Sequence, residues 1–372
     1  MTIPFLDLKA AYASLKPEID DAVARVLASG MYIGGTEVEA FEREFADYVG
    51  ALHCVAVANG LEALQLALLA VGVQQGDEVV VPAHTFVATW LAVTQCGAIP
   101  VPVDVRADTC QLDPSRLEAT ITPRCRAIVP VHLYGIPADL DAILAEASAR
   151  GIAVVEDAAQ AHGTTYRGRR IGAHGDVATW SFYPGKNLGA FGDAGAVTTD
   201  DPGLAARLRR LRNYGSSVRY VHEERGFNSR MDPLQAAIIR VKLAHLDAWN
   251  ARRREIAARY LQELAGADLV LPTVPEWAES SWHLFPVRHP RRDAFRDALT
   301  AAGVETLIHY PIPPHLQHAY ADLGFARGAF PVAEEVADTV LSLPIGPAMT
   351  HSQVDAVVAA VRQALGAMEL VA

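Results

Sequence analysis

Apolar positions along the chain follow two different periods. Over residues 17–29 they recur at helical spacing, with Ile19, Val23, Val26 and Leu27 on one face. Gly30 follows where such a helix would end. Residues 36–48 repeat the pattern, with Val38, Phe41, Phe45 and Tyr48 facing inward and Thr36 expected as the N-cap. The period then changes. Short apolar runs appear at 54–58, 78–81, 99–103, 127–131, 152–156, 177–182 and 196–199, and amphipathic stretches of helix length, such as 61–71 and 140–149, lie between several of them. Strands alternating with helices predict an α/β fold with a mostly parallel, doubly wound sheet of seven strands. Such sheets bind ligands beyond the carboxyl ends of their strands. Asn59, Asp157 and Ser181 all fall at or near such ends.

The remainder reads differently. Residues 201–214 form a basic helix carrying Arg207, Arg209, Arg210 and Arg212. Residues 215–231 are polar, rich in arginine and aromatics, and without period, so they are expected to be a long functional loop. A single long helix is expected over 232–263, with Leu243, Leu246 and Trp249 on its apolar face, linking two domains. Beyond it come short strands (282–287 and 306–309), a helix (292–302), proline-rich turns and a last helix (352–365), the pattern of a small α+β domain. The expected division is a large domain over 1–250 and a smaller one over 251–372.

Composition removes several function classes. The chain is 51% apolar and 20% charged, which is globular rather than disordered. A net charge of −11 argues against non-specific nucleic-acid binding and against anionic membranes. No stretch of about 18 uncharged apolar residues is present, and residues 1–7 lack the pattern of a signal peptide. The four cysteines, Cys54, Cys96, Cys110 and Cys125, are scattered and read as reduced buried thiols of a cytoplasmic protein.

Candidate chemistry centres on Trp180-Ser181-Phe182-Tyr183-Pro184-Gly185-Lys186-Asn187. Here an apolar strand meets a Pro-Gly turn and then presents a lysine. Upstream, the strand ending in Glu156-Asp157 offers a carboxylate. A Schiff-base amine and a carboxylate able to pair with a pyridinium nitrogen are the minimal protein kit for pyridoxal 5'-phosphate, PLP. Gly60, opening the helical run from Leu61, offers free amides and a positive dipole end to a phosphate, although a glycine there also serves as a plain turn. Ser181 adds a hydroxyl. Taken alone, Asp157 reads first as a cap for the following helix, and Gln160 one turn later is placed to reach a ring hydroxyl. His162 reads either as a structural histidine or as a group behind Asp157. Phe86 reads as a stacking partner for a flat ring or as a core aromatic. Arg219, Tyr220, Arg225 and Arg230 suit an anionic substrate or simply a solvated loop face. The run His309-Tyr310-Pro311-Ile312-Pro313-Pro314-His315 reads as a rigid loop with polar tips, not a metal site.

Four stretches also carry a family resemblance: Ala58-Asn59-Gly60-Leu61-Glu62-Ala63-Leu64; Glu156-Asp157-Ala158-Ala159-Gln160-Ala161-His162-Gly163; Ser181-Phe182-Tyr183-Pro184-Gly185-Lys186-Asn187-Leu188; and Asn228-Ser229-Arg230-Met231-Asp232-Pro233-Leu234-Gln235-Ala236-Ala237. In that order they resemble the DegT/DnrJ/StrS family of PLP-dependent nucleotide-sugar aminotransferases, of the aspartate-aminotransferase fold (fold type I). The resemblance implies that Lys186 forms the Schiff base and Asp157 pairs with the pyridinium. It places Gln160 near the ring hydroxyl and Phe86 on the ring, with Asn59, Gly60, Leu61 and Ser181 around the phosphate. Many relatives have Ser-Gly-Thr where this chain has Asn59-Gly60-Leu61, so only the amide of Leu61 is expected to serve. Asn228 would reach the phosphate from a second subunit, which implies a homodimer with shared active sites. Tyr183, Arg219, Tyr220, His309 and Tyr310 are the expected substrate contacts. The resemblance further implies L-glutamate as amino donor and, as acceptor, carbon 3 of a dTDP-linked 3-keto-6-deoxyhexose, with carbon 4 of a keto-sugar nucleotide as the alternative. A dehydratase of the same family would carry histidine in place of Lys186, and a non-catalytic PLP-binding regulator is the remaining rival.

Overall fold

The computed structural model describes residues 2–172 and 174–369. Its centre is a seven-stranded sheet: β1 (His53–Val57), β2 (Glu78–Pro82), β3 (Ile99–Val103), β4 (Cys125–Ile128), β5 (Ala153–Asp157), β6 (Val177–Ser181) and β7 (Gly195–Thr199). The spatial order is β1-β7-β6-β5-β4-β2-β3. All neighbours are parallel except β7, which runs antiparallel to both β1 and β6. The mostly parallel sheet expected from the apolar runs is therefore present, with strand ends shifted by at most three residues.

Period-2 alternation sends side chains to two cores. Val55, Val57 and Val177 join Leu64, Leu68 and Trp90 on one face. Cys54, Ala56, Ala178 and Trp180 join Phe41 and Phe45 on the other. Phe45 is the hub of the second core. It stands edge-on to Trp180 at 5.1 Å and to Phe182 at 5.2 Å between ring centroids. The same strand that ends at the Pro-Gly turn is thus anchored from beneath by the helix Thr36–Val49.

Register brings the ligand-facing ends together. Asp157 on β5 pairs with Thr179 on β6, Ser181 on β6 with Gly195 on β7, and Val57 on β1 with the same Gly195. Three strand ends and the turn after β1 therefore share one edge of the sheet.

Local expectations fail at three places. Thr36 is the first residue of its helix; Gly35 holds the cap position and supplies no side chain. The stretch 232–263 is two helices, Pro233–Leu243 and Leu246–Glu263, separated by a turn in which the His245 amide bonds the Lys242 carbonyl at 3.0 Å. Packing explains the break. Ile238 packs on Leu15 and Ile19, whereas Ile256 and Tyr260 belong to the core of the C-terminal part. Residues 306–309 make only an isolated bridge, Leu307 to Ser342, because Pro311, Pro313 and Pro314 beyond them have no amide to extend a ladder. In the C-terminal part, Phe285–Arg288 pairs antiparallel with Val340–Leu343, and the helices Arg292–Ala301 and His351–Glu369 cover this ribbon. Ile3 joins this core and bridges Val304. A short helix at Leu8–Ser14 and a hairpin at Thr165–Tyr166 and Arg169–Arg170 were not legible as periods.

Phe45 is fully buried, so Phe45→Ala should cost about 3–5 kcal/mol of unfolding free energy. Denaturant titration is the check; a loss below about 1 kcal/mol, the level of a surface change, would show that the aromatic hub does not support the sheet.

Candidate active site

The turn after β1 starts the helix Gly60–Ala70. Asn59 is its N-cap: the Oδ1 accepts the Glu62 amide at 2.9 Å, and the Asn59 carbonyl accepts the Ala63 amide at 3.0 Å. Those bonds leave the amides of Gly60 and Leu61 without an acceptor among the described residues. Two free N–H groups at a helix start are the elements of an anion cradle. A Cβ on Gly60 would lie 2.5 Å from the Ser181 Cβ, so only glycine lets the helix start meet the end of β6. Asn59 thus acts through its cap, and the Ser181 Oγ accepts the Tyr183 amide at 3.3 Å.

Asp157 is buried at the end of β5. Its Oδ2 accepts the Thr89 hydroxyl at 2.9 Å, and its Oδ1 accepts the Ala159 amide at 3.2 Å. Thr85 and Thr89 share a further hydroxyl bond at 2.9 Å. Burial pushes the carboxyl upward, against the Ala159 amide, the Thr89 hydroxyl and the charge of Lys186. Lys186 follows the Pro-Gly turn, its amide bonded to the Tyr183 carbonyl at 2.8 Å. Burial drives its ammonium down to about 8, and the charge of Asp157 opposes that shift. A lysine there loses its proton far more readily than one in water.

Three neutral histidines sense the charge of Lys186. Burial lowers His162 to about 3 and His309 to about 4, and holds His283 well below the ordinary range; the charge of Lys186 adds to each. His162 packs against Trp180 and Phe182 at 5.3 and 5.4 Å and makes no hydrogen bond to Asp157, which favours its structural reading. His309 Nδ1 lies 2.9 Å from the Ser342 hydroxyl, and His283 Nδ1 lies 3.2 Å from the Asn187 Oδ1.

Gln160 ties the C-terminal part to the site. Its Oε1 accepts the Tyr134 amide at 2.6 Å, and its Nε2 donates to the Tyr310 hydroxyl at 3.1 Å. The Tyr310 ring lies 5.2 Å from that of Phe86, which is half exposed at the start of the helix Val87–Gln95. The Tyr134 hydroxyl donates to the His309 carbonyl and contacts His84 Nε2 at 2.9 Å. Gln160, Phe86, His309 and Tyr310 therefore meet around the Lys186–Asp157 pair. Thr85, Thr89, Tyr134 and His283 were missed by sequence reasoning. Thr89 alone left a signal, as a polar residue one turn after Phe86 within a largely apolar helix.

Other expected residues stand apart within the single chain. Tyr183 is 60% exposed and Tyr220 80% exposed, with the Arg219 guanidinium 4.9 Å from the Tyr220 ring. Arg225 is exposed, and Arg230 donates to the Asn213 Oδ1 at 3.1 Å. Asn228 is exposed and bridges Asn213 through its backbone. His315 faces Glu334 at 3.1 Å. Among the described residues no group of three or more His, Cys, Asp or Glu is arranged to hold a metal. The four cysteines are buried and unpaired, and among the described residues no helix is long and apolar enough to cross a membrane.

Known proteins match this arrangement over nearly the whole chain. A dTDP-3-amino-3,4,6-trideoxy-alpha-D-glucose transaminase from Streptomyces venezuelae is 56% identical over 362 residues, covering 97% of this chain and 96% of its own. The erythromycin biosynthesis sensory transduction protein EryC1 from Saccharopolyspora erythraea is 58% identical over 363 residues, covering 97% and 99%. The crystal structure of S. venezuelae DesV in complex with a ketimine intermediate superposes with a TM-score of 0.96 at 56% identity, covering 97% and 98%. A family model matches residues 13–362, and with it the chain belongs to the DegT/DnrJ/EryC1/StrS aminotransferase family.

Proposed function

We propose that this enzyme uses PLP to move an amino group from L-glutamate to carbon 3 of a dTDP-linked 3-keto-6-deoxyhexose. The observation that carries the reading is the half-buried Lys186 amine, lowered to about 8 chiefly by burial, together with the buried Asp157 carboxylate that opposes that shift and the two free amides of Gly60 and Leu61. These residues fit the cofactor: two unpartnered N–H groups and the Ser181 hydroxyl suit a phosphate, and an acceptor carboxylate suits a pyridinium N–H. The choice of carbon 3 and of dTDP is supported by relatives whose names carry both, at 56%, 49% and 46% identity.

When bound, PLP supplies an electron sink that acidifies the donor's α-carbon proton. Lys186 would hold the cofactor covalently, and its amine, once freed, would carry the proton as base and acid. Such proton transfer typically contributes about 10²–10⁴-fold. Asp157, held by Thr89 and Ala159, would present an acceptor carboxylate to the ring nitrogen. Phe86 offers a flat face, and Gln160 fixes Tyr310 over it. Arg219 and Tyr220 take the nucleotide diphosphate, with Tyr183 and His309 near the sugar. The active unit is a homodimer in which Asn228 reaches the partner's phosphate site.

Enzyme loaded with pyridoxamine phosphate, offered a panel of keto-sugar nucleotides, should aminate dTDP-3-keto-6-deoxyhexoses fastest, with the new amine on carbon 3 by NMR. Preferential amination of 4-keto sugars would replace the assignment. For the dimer, a Lys186→Ala chain is combined with an Asn228→Ala chain, and turnover is measured at limiting PLP. Shared sites leave one intact site per mixed dimer, so activity should return to about half of wild type, since the loss of one hydrogen bond to a charged group (about 1.5–3 kcal/mol) is confined to the dead site. Mixed dimers no better than the Asn228→Ala half alone would rule out sharing.

A further inference from the structure

Lys186 also lines a cavity of about 220 Å³ whose wall does not include Asp157 or Gly60. That is well beyond the space one water needs, about 10–15 Å³. The N-terminal segment, the turn bearing Lys186, the helix Leu246–Glu263 and the loop around Pro347 enclose it. Two further cations stand on the wall, Lys242 and Arg253, each 4% exposed. Arg253 gives its Nη1 to the carbonyls of Trp282 and Ile345, both at 3.1 Å, and of His283 at 3.4 Å. Its Nε has no partner among the described residues. Lys242 donates to the Gly189 carbonyl. Burial alone pulls Lys242 down to about 8 and Arg253 to about 10, and no carboxylate offsets either shift. Asp7, at the rim, is exposed, and its Oδ1 is occupied by the Ala10 amide at 2.9 Å.

The partners of both cations are neutral carbonyls and, for Lys242, the Phe191 ring 4.5 Å away; buried cations without anions are costly, and an anionic ligand would supply the missing charge. We propose that this cavity is the amino-donor site, in which Arg253 and Lys242 take the two carboxylates of an α-amino dicarboxylate and turn its amine toward Lys186. The assignment rests on the aminotransferase reading above and adds residues that neither the motifs nor the pyridoxal site contain. Two separate cations match a dicarboxylate; a monocarboxylate would leave one of them unpaired.

The probe is glutarate, which has both carboxylates but no amine to transfer. Titration calorimetry of the wild-type holoenzyme should show saturable binding that L-glutamate competes away, and clearly weaker binding of butyrate. Lys242→Met and Arg253→Lys should each weaken glutarate by about tenfold or more, the loss expected for one charge-assisted hydrogen bond. Each should raise the KM for L-glutamate in parallel while moving the KM for the keto-sugar less than about twofold. Arg253 also holds backbone carbonyls, so Lys242→Met provides the test if the arginine variant does not fold. Glutarate affinity unchanged in Lys242→Met, or glutarate binding that L-glutamate does not displace, overturns the assignment. Those outcomes leave the aminotransferase reading standing, whereas wild-type enzyme that never accepts nitrogen from L-glutamate would sink that reading instead.

Discussion

The site depends on a close approach that only glycine permits. A Cβ on Gly195 would sit 2.3 Å from the Asn59 carbonyl oxygen, and one on Gly60 would sit 2.5 Å from the Ser181 Cβ. Because both positions lack a side chain, β1, β7 and β6 converge and the first turn of the helix Gly60–Ala70 comes up against the end of β6. Two amides are then free beside Ser181, at the same edge of the sheet as Asp157. The aromatic core beneath, built on Phe45, Trp180 and Phe182, holds that edge in place.

Charge is arranged around this convergence with little solvent to soften it. Lys186 is driven toward its neutral form by burial while Asp157 pulls the other way. The histidines nearest that charge are themselves kept neutral. An amine poised near neutrality can give and take a proton, which a solvated lysine does poorly. The link between Gln160 and Tyr310 couples this pair to the loop after residue 308, so the C-terminal part completes the chamber rather than merely covering it.

The chemistry was legible where it coincided with punctuation. Strand ends at Asp157 and Ser181, the Pro-Gly turn before Lys186 and the Asn-Gly helix start all mark themselves in the sequence. The sheet was legible for the same reason, because each buried strand is an apolar run closed by polar residues. What escaped depends on contacts between distant segments. Tyr134 meets Gln160 and His309 from a short turn with its own φ at 64°, and His283 reaches Asn187 across 96 positions. The break near Ala244 contains neither glycine nor proline, since it is set by two cores that the two helices must each face. Arg219, Tyr220 and Asn228 are exposed in the single chain, so the nucleotide and partner-phosphate roles proposed for them rest on assembly and not on any contact within one chain.

The central claim is that Lys186 carries the amino exchange. Single-turnover spectra of the PLP-loaded enzyme mixed with L-glutamate test it most directly, run side by side with Lys186→Ala. The account predicts that wild type converts fully to the pyridoxamine spectrum, while Lys186→Ala retains PLP non-covalently and converts at least about 10²-fold more slowly. Conversion at the wild-type rate without Lys186, or no conversion in wild type, would contradict it.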